Sequence, residues 1–283
     1  MPVTDASSPE PSGQADGAEG DLHRQQRERL VASGLLVPMG VDGLYGRSGA
    51  FEDVVSAVER LLSLAGGGNA VPTLRFPPVL AKVAFEKTGY LRSFPSLTAS
   101  LQTFAGDDRD HRRLLSRFEA GEDWTSDLVP AETVLCPAAC HPLYGTIVGP
   151  VPPGGMTWNV YGYVFRHEPS VDPARMQAFR QYEYVFVGDA GGARAHRDEW
   201  LTRAVELLAG LGLDVRAEVS SDAFFGRTGH LLAANQKTEK LKYEVLAETS
   251  GSPTLTAIAS ANCHEDHFGS AFDILTTTGE VAH

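Results

Sequence analysis

Cysteine is scarce in this chain of 283 residues, where Cys136, Cys140 and Cys263 are the whole supply. Three thiols, an odd number, do not make a disulfide framework, which points to a reducing compartment and leaves thiolate or metal chemistry open. No stretch approaches the about 20 apolar residues that a membrane-spanning helix needs, and the N-terminus lacks a basic-then-apolar leader, so a cytoplasmic location is expected. Basic charge is also short: 24 Lys and Arg face 36 Asp and Glu, a net charge of -12, so no global positive field draws in nucleic acid phosphates. Neither a GxxxxGKS/T loop nor a GxGxxG after a strand occurs, and there is no internal repeat. The two commonest phosphate cradles are thereby excluded, and any nucleotide must be held another way.

What is present is the composition of a folded protein with many turns, 42% hydrophobic and 21% charged with 29 Gly and 17 Pro. Residues 1–20 hold Ser, Pro, Gly, Asp and Glu with almost nothing able to pack, and they are expected to be a disordered tail before one domain over residues 21–283. A helix is expected from Asp21, with Leu22, Leu30 and Val31 apolar, and a second after Ser48 or Gly49, where Phe51, Val54, Val55, Val58, Leu61 and Leu62 recur at helical spacing. The segment VPTLRFPPVL, broken by Pro72, Pro77 and Pro78, suits an edge or interface strand. Residues 79–125 read as helix and turn. Between Thr133 and Val187 the pattern turns to ETVLC, MTWNVYGYVFRHE and FRQYEYVFVG, short β-rich runs between loops. A helical period returns over Arg197–Leu211, and KLKYEVLAET, LTAIASANC and AFDILTTT suggest later strands. Helices before and between antiparallel runs make the fold class α+β rather than alternating parallel units.

The most informative stretch is YGYVFRHEPSVDPARMQAFRQYEYVFVG, residues 161–188, where charge interrupts an aromatic strand. Strand spacing puts Arg166 and Glu168 on one face, with Tyr163 and Phe165 on the other. A guanidinium on an apolar strand needs an anionic partner. That partner is either Glu168 or Glu183 in a cross-strand ion-pair cluster, or a bound phosphate that the planar fork of Arg grips. The polar loop PSVDPAR has the length to lie over a nucleotide, with Arg175 and Phe179 at its far end and the phenyl ring able to stack on adenine. Spacing alone does not choose between these readings.

FRHE, a loop and a Phe-bearing return strand resemble motif 2 of class II aminoacyl-tRNA synthetases. The longer string FRHEPSVDPARMQAFRQYEYV is similar to the amino acid:[carrier protein] ligases, relatives of the methanogen-type seryl-tRNA synthetases. GLYGRSGAFE, RFPPV with FEKTGYLRSFPSL, PAACHPLY, DAFFGRTGHLLA, LKYEVL and HEDHFG extend the likeness over residues 30–283.

The resemblance implies a class II synthetase-like antiparallel sheet flanked by helices. It makes Arg166 and Glu168 catalytic and assigns ATP to Arg166, Glu168, Arg175, Met176 and Phe179. Cys140 and Glu183 become zinc ligands, with Glu183 also meeting the substrate. The family's third ligand, a Cys, and the motif 3 Arg belong after a Gly-x-x-AH string, where this sequence stops at His283. Cys136 lies outside the matching PAAC string, and Cys263 stands where the family places an aromatic residue. Read without the resemblance, Cys263, His264, Asp266 and His267 suggest a self-contained metal site and a hydrolase, and Cys140 reads as a buried structural thiol.

The function so implied is ATP-dependent activation of glycine, alanine or a similarly small amino acid, with magnesium on the phosphates. Transfer to the phosphopantetheine thiol of a carrier protein follows. A tRNA acceptor is not expected, because the region before the catalytic segments is short and no basic domain is appended. Arg194, Arg197 and Arg203 are candidates for a basic patch facing the acidic carrier. RFPPV resembles the Pro-containing motif 1 that builds the class II homodimer. The alternatives are a seryl-tRNA synthetase and an inactive paralogue that only binds nucleotide or carrier.

Overall fold

In the computed structural model, which describes residues 17–226, 229–252 and 254–283, the chain enters as helix α1 (Gly17–Ala32). The helix starts four residues inside the expected tail, and residues 1–16 lie outside the described residues. Gly34, at φ 72°, turns the chain into the antiparallel hairpin β1 (Leu36–Pro38) and β2 (Tyr45–Arg47). Helix α2 (Gly49–Ala65) follows at once because Ser48 caps it, its hydroxyl oxygen accepting the Phe51 N–H at 3.3 Å.

The Pro-rich segment is two strands rather than one. Strand β3 (Thr73–Leu74) lies parallel to Asn159–Val160, whereas β4 (Val79–Ala81) lies antiparallel to Thr133–Leu135 in a different sheet. Pro77 and Pro78 stand between them, where neither can donate to a ladder, and there the chain changes sheets. The short helices α3 (Lys82–Lys87) and α4 (Tyr90–Ser93) lead to β5 (Ser100–Thr103). Helix α5 (Asp108–Glu119), closed by a capping box of Asp107 and Asp110, leads to β6 (Val129–Leu135), which lies between β4 and β5.

A one-turn helix α6 (His141–Tyr144) precedes the longest ladder, β7 (Met156–Phe165) against β8 (Ala178–Val187). Its register runs unbroken from Met156↔Val187 to Phe165↔Ala178. Helix α7 (Ala190–Gly210), capped by Asp189, crosses a second antiparallel sheet of β9 (Val215–Val219), β10 (Lys242–Ala247) and β11 (Thr256–Asn262), with β10 central. Helix α8 (Gly229–Thr238) links β9 to β10, and α9 (His267–Phe272) follows β11. The last residues return to the main ladder, His283 N–H donating to the Gly188 carbonyl at 2.8 Å and receiving the reciprocal bond at 2.9 Å.

Two apolar clusters form the core. Leu143, Val151, Val160, Val164, Ile274 and Ala282 fill one, and Leu80, Phe85, Tyr90 and Val134 fill the other. Cys136 belongs to the second and Cys140 to the first, so the segment between them is pinned from both sides. Among the described residues no helix is long and apolar enough to cross a membrane.

Candidate active site

Strand β7 ends at Phe165, so Arg166 and Glu168 leave the ladder instead of sharing a strand face as their spacing suggested. Arg166 is held by its Nε, which donates to the Pro137 carbonyl at 3.0 Å, and its guanidinium carbon lies 5.5 Å from the centroid of the Phe179 ring. Among the described residues no carboxylate comes within 4.0 Å of that guanidinium. Glu168 pairs instead with Arg175 at 3.1 Å, both side chains largely open to solvent. The internal ion-pair cluster of Arg166, Glu168 and Glu183 does not form, which removes one of the two readings of the spacing. A cation on an aromatic ring without a protein anion has its terminal nitrogens free for a ligand.

Phe179 faces Val164 across the ladder and packs on the first core cluster, so the ring is fixed from below. Met176 is drawn elsewhere: its sulfur accepts from Arg47 Nη2 at 3.2 Å, and Arg47 also donates to the Ala178 carbonyl at 2.8 Å and to the Tyr163 hydroxyl at 3.2 Å. No described contact joins Met176 to Arg166 or Phe179.

Two strand positions beyond Gln181, Glu183 meets the PAAC segment. Gln181 Oε1 accepts the Ala139 N–H at 3.0 Å and Glu183 Oε1 accepts the Cys140 N–H at 3.3 Å. Burial raises the Glu183 carboxyl above its usual range, against which hydrogen bonds from Cys140 and the positive charge of Arg166 act. Burial likewise raises the Cys140 thiol, and the neighbouring Glu183 charge adds to it; the Tyr144 phenol is raised by burial and then by Cys140 and Glu183 beside it. Cys136, whose sulfur donates to the Ala138 carbonyl at 3.0 Å, is pushed up to about 11 by burial.

Histidines close the far side. His141 is 6% exposed, its Nδ1 has no partner among the described residues, and burial lowers its pKa to about 3. His264 is exposed at its edge, and packing of the surrounding protein, with the neighbouring His267, lowers its pKa. The two rings meet Phe268 at 5.8 Å and 5.0 Å between centroids. His267 Nε2 lies 2.8 Å from the Thr88 carbonyl. Asp222 accepts from Lys242 at 2.6 Å and Gln236 at 2.9 Å, and Phe224 stacks on Phe94 at 5.5 Å. Burial raises the Tyr90 phenol, with Arg166 opposing and Glu168 and Asp222 reinforcing, so the segments around 90, 140, 166, 222 and 264 converge on one region. Tyr90, His141 and Asp222 were not singled out from the sequence; only their positions inside resembling segments could have marked them.

Among the described residues no group of three His, Cys, Asp or Glu side chains is placed to hold a metal ion. That overturns the self-contained site at Cys263, His264, Asp266 and His267: Cys263 is buried with its N–H on the Leu241 carbonyl, while His267 is turned to Thr88. Cys140 and Glu183 supply a thiol and a carboxylate side by side, two donors where a zinc site with an open position needs three. The three candidate patch arginines each have partners within the chain. Arg194 pairs with Glu265 at 3.8 Å, Arg197 with Asp198 at 2.7 Å and the Lys240 carbonyl at 2.6 Å, and Arg203 donates to the Ala65 carbonyl at 2.8 Å. These side chains tie α7 to its neighbours.

No protein-family model matches the chain. It is 41% identical over 257 residues to amino acid–[acyl-carrier-protein] ligase 1 of Bradyrhizobium diazoefficiens, covering 89% of this chain and 78% of that protein. The chain belongs to the amino acid–[acyl-carrier-protein] ligase family. Ligase 2 of the same organism is 40% identical over 255 residues, covering 89% of this chain and 76% of its own length. Among solved structures, M. kandleri SerRS in complex with A. aeolicus tRNASec matches this ligase with a TM-score of 0.73 at 18% identity, over 91% of this chain and 53% of its own. Pyrococcus horikoshii seryl-tRNA synthetase complexed with ATP matches with a TM-score of 0.62 at 17% identity, over 90% and 52%. The ligase therefore has the class II synthetase fold and spans about half the length of those synthetases.

Proposed function

We propose that this ligase activates a small amino acid of the glycine or alanine class with ATP and transfers it to the phosphopantetheine thiol of a carrier protein. The observation that carries the proposal is the Arg166 guanidinium, seated on Phe179 and the Pro137 carbonyl with no carboxylate within 4.0 Å among the described residues. In the first step a carboxylate oxygen of the amino acid attacks the α-phosphorus and the bond to pyrophosphate breaks. Arg166 steadies the charge on the α-phosphate, and Phe179 carries the adenine. No side-chain nucleophile is needed, because positioning and fixed positive charge lower the barrier. Glu168 and Arg175, which pair with each other at 3.1 Å, separate to orient the base and to reach the outer phosphates, and magnesium, when bound with ATP, would add positive charge against the phosphates. In the second step the carrier thiol sulfur attacks the carbonyl carbon, its proton is lost, and AMP leaves.

The amino group is received at Cys140 and Glu183. These two would be the thiolate and carboxylate donors of a zinc ion, which when bound would supply a Lewis-acid position for the amine. No step here depends on it, and metal analysis of the purified protein tests it. Residues 21–283 are the catalytic domain on this reading. Helix α2 buries none of its residues and exposes Val54 and Leu64, which supports the homodimer suggested by RFPPV; sedimentation at micromolar concentration decides it. Three unpaired thiols support a reducing, cytoplasmic setting.

ATP–pyrophosphate exchange with glycine, alanine and serine, followed by loading of labelled amino acid onto a pantetheinylated carrier or onto tRNA, tests the whole reading. Exchange followed by carrier loading supports it. Loading of tRNA with serine would make the protein a seryl-tRNA synthetase, and no exchange with any of the three would make it an inactive binder.

A further inference from the structure

Helix α1 lies away from the groups that meet substrate, yet its side chains reach the loop that follows Arg166. His23 Nε2 stands 4.0 Å from the Asp172 carboxylate, with only 12% and 6% of the two side chains exposed, an ion pair when the imidazole carries its proton. Asp172 organises the loop: its Oδ1 accepts the Ala174 N–H at 2.9 Å, its N–H donates to the Ser170 hydroxyl at 3.1 Å, and its carbonyl accepts the Arg175 N–H at 3.0 Å. One turn along α1, Arg27 pairs with Asp42 at 3.0 Å. The Asp42 carbonyl accepts from Gln177 Nε2 at 2.7 Å, and the Gly43 carbonyl accepts the Gln177 N–H at 2.9 Å. Gly43 sits at φ 80°, where a Cβ would press on Gln177 at 3.1 Å, so the turn can approach this closely only as glycine. At the other end of α1, Glu19 accepts from the Ser252 hydroxyl at 2.8 Å, which anchors the helix to the far sheet.

We infer that α1 is a positioning element for the nucleotide loop, acting through His23 on Asp172 and through Arg27 on the Asp42–Gln177 link. The inference rests on the proposed function for the identity of what the loop covers, but the clamp itself does not depend on that identity. Loop residues 167–176 have no ladder of their own; held at Asp172 and Gln177, their backbone keeps its course while the Glu168 and Arg175 side chains turn to ATP. ATP then binds to a loop already in shape, at a lower ordering cost. His23 touches neither substrate nor the reacting atoms on this account, so its loss acts on ATP affinity rather than on the chemical step.

Amide hydrogen exchange and pyrophosphate-exchange kinetics on the full chain test this together, using His23→Ala, His23→Gln and Asp172→Asn. His23→Ala should speed exchange in residues 171–176 by about tenfold while β7 and β8 stay protected. It should raise KM for ATP by about fivefold with kcat nearly unchanged, the size expected for losing one interaction of hydrogen-bond strength. His23→Gln, which keeps a polar side chain but not the charge, and Asp172→Asn, which keeps the Ala174 bond but loses the charge, should both resemble His23→Ala. Unchanged loop protection in a folded His23→Ala would overturn the clamp. A loosened loop with unchanged KM would overturn its role in ATP binding, and a fall in kcat equal to the rise in KM would make it merely structural. If the wild-type protein shows no pyrophosphate exchange, the functional reading fails while the exchange-protection arm still judges the clamp.

Discussion

Removing the guanidinium of Arg166 is the perturbation with the most to say. Its side chain makes one protein hydrogen bond, to the Pro137 carbonyl, and one contact with the Phe179 ring. Losing the first costs about 1 kcal/mol and losing the second about 0.5–1 kcal/mol. For a chain of this size that is a fall in Tm of roughly 3–7 °C. The catalytic loss should be of another order. A preorganised donor aimed at charge that develops in the transition state is worth roughly 3–4 kcal/mol, or about 10²–10³ in kcat. Arg166→Ala is therefore expected to stay folded, to lose a few degrees of Tm and to lose pyrophosphate exchange by that factor, with a smaller rise in KM for ATP. Arg166→Lys, which restores the charge but not the planar fork, should recover part of the activity and little of the Pro137 contact. Calorimetry and steady-state exchange with saturating amino acid read both quantities. A folded Arg166→Ala whose exchange rate stays within about tenfold of wild type would refute the electrostatic argument, whatever its Tm.

Glu183→Gln should raise Tm at pH 8. The folded carboxyl holds its proton more tightly than the unfolded chain does, so the charged form costs stability at neutral pH, and the gain should vanish as pH falls below the unfolded value of about 4.3. The same variant should bind the amino acid less well, seen as a rise in its KM. At pH 8 the native thiols should react slowly with a thiol reagent, since all three are buried and Cys136 stands at about 11, and denaturant should release all three to rapid labelling. Gly269→Ala places a Cβ against the Ala282 carbonyl oxygen, a backbone atom that cannot step aside, so it should lower Tm by several degrees and speed hydrogen exchange in residues 274–283.

The sequence made the β7–β8 hairpin legible because alternating aromatic and β-branched residues on both arms give a period of two that few other structures share. Helix α2 was legible from its apolar spacing and its Ser48 cap. Helix α1 began earlier than expected because residues 17–20 have no apolar period, and what holds them, Ser252, is 233 residues away from Glu19. Pairings of that kind leave no local trace. Arg180 with Glu52, at 2.6 Å and 2.9 Å across 128 positions, is another, and so are the bonds from Arg197 and Arg203 of α7 to the Lys240 and Ala65 carbonyls. In the candidate site the residue types were visible in the matching strings. Past Phe165 the Gln177 carbonyl still accepts the Arg166 N–H at 2.9 Å, but the His167 N–H turns to the Leu97 carbonyl at 3.0 Å, and spacing does not report such a partner.

The sheet change at Pro77 and Pro78 sets an order of assembly. Strands β7 and β8 are joined by a loop of a dozen residues and can find each other early, whereas Thr73 must find Asn159 and Val79 must find Leu135 across a long intervening chain. The hairpin that carries Arg166 and Phe179 is thus expected to form before the pairings of β3 and β4. A refolding chain would then show protected amides at 156–165 and 178–187 well before those at 79–81, and translation, which delivers residues 73–81 first, leaves them waiting for partners made later.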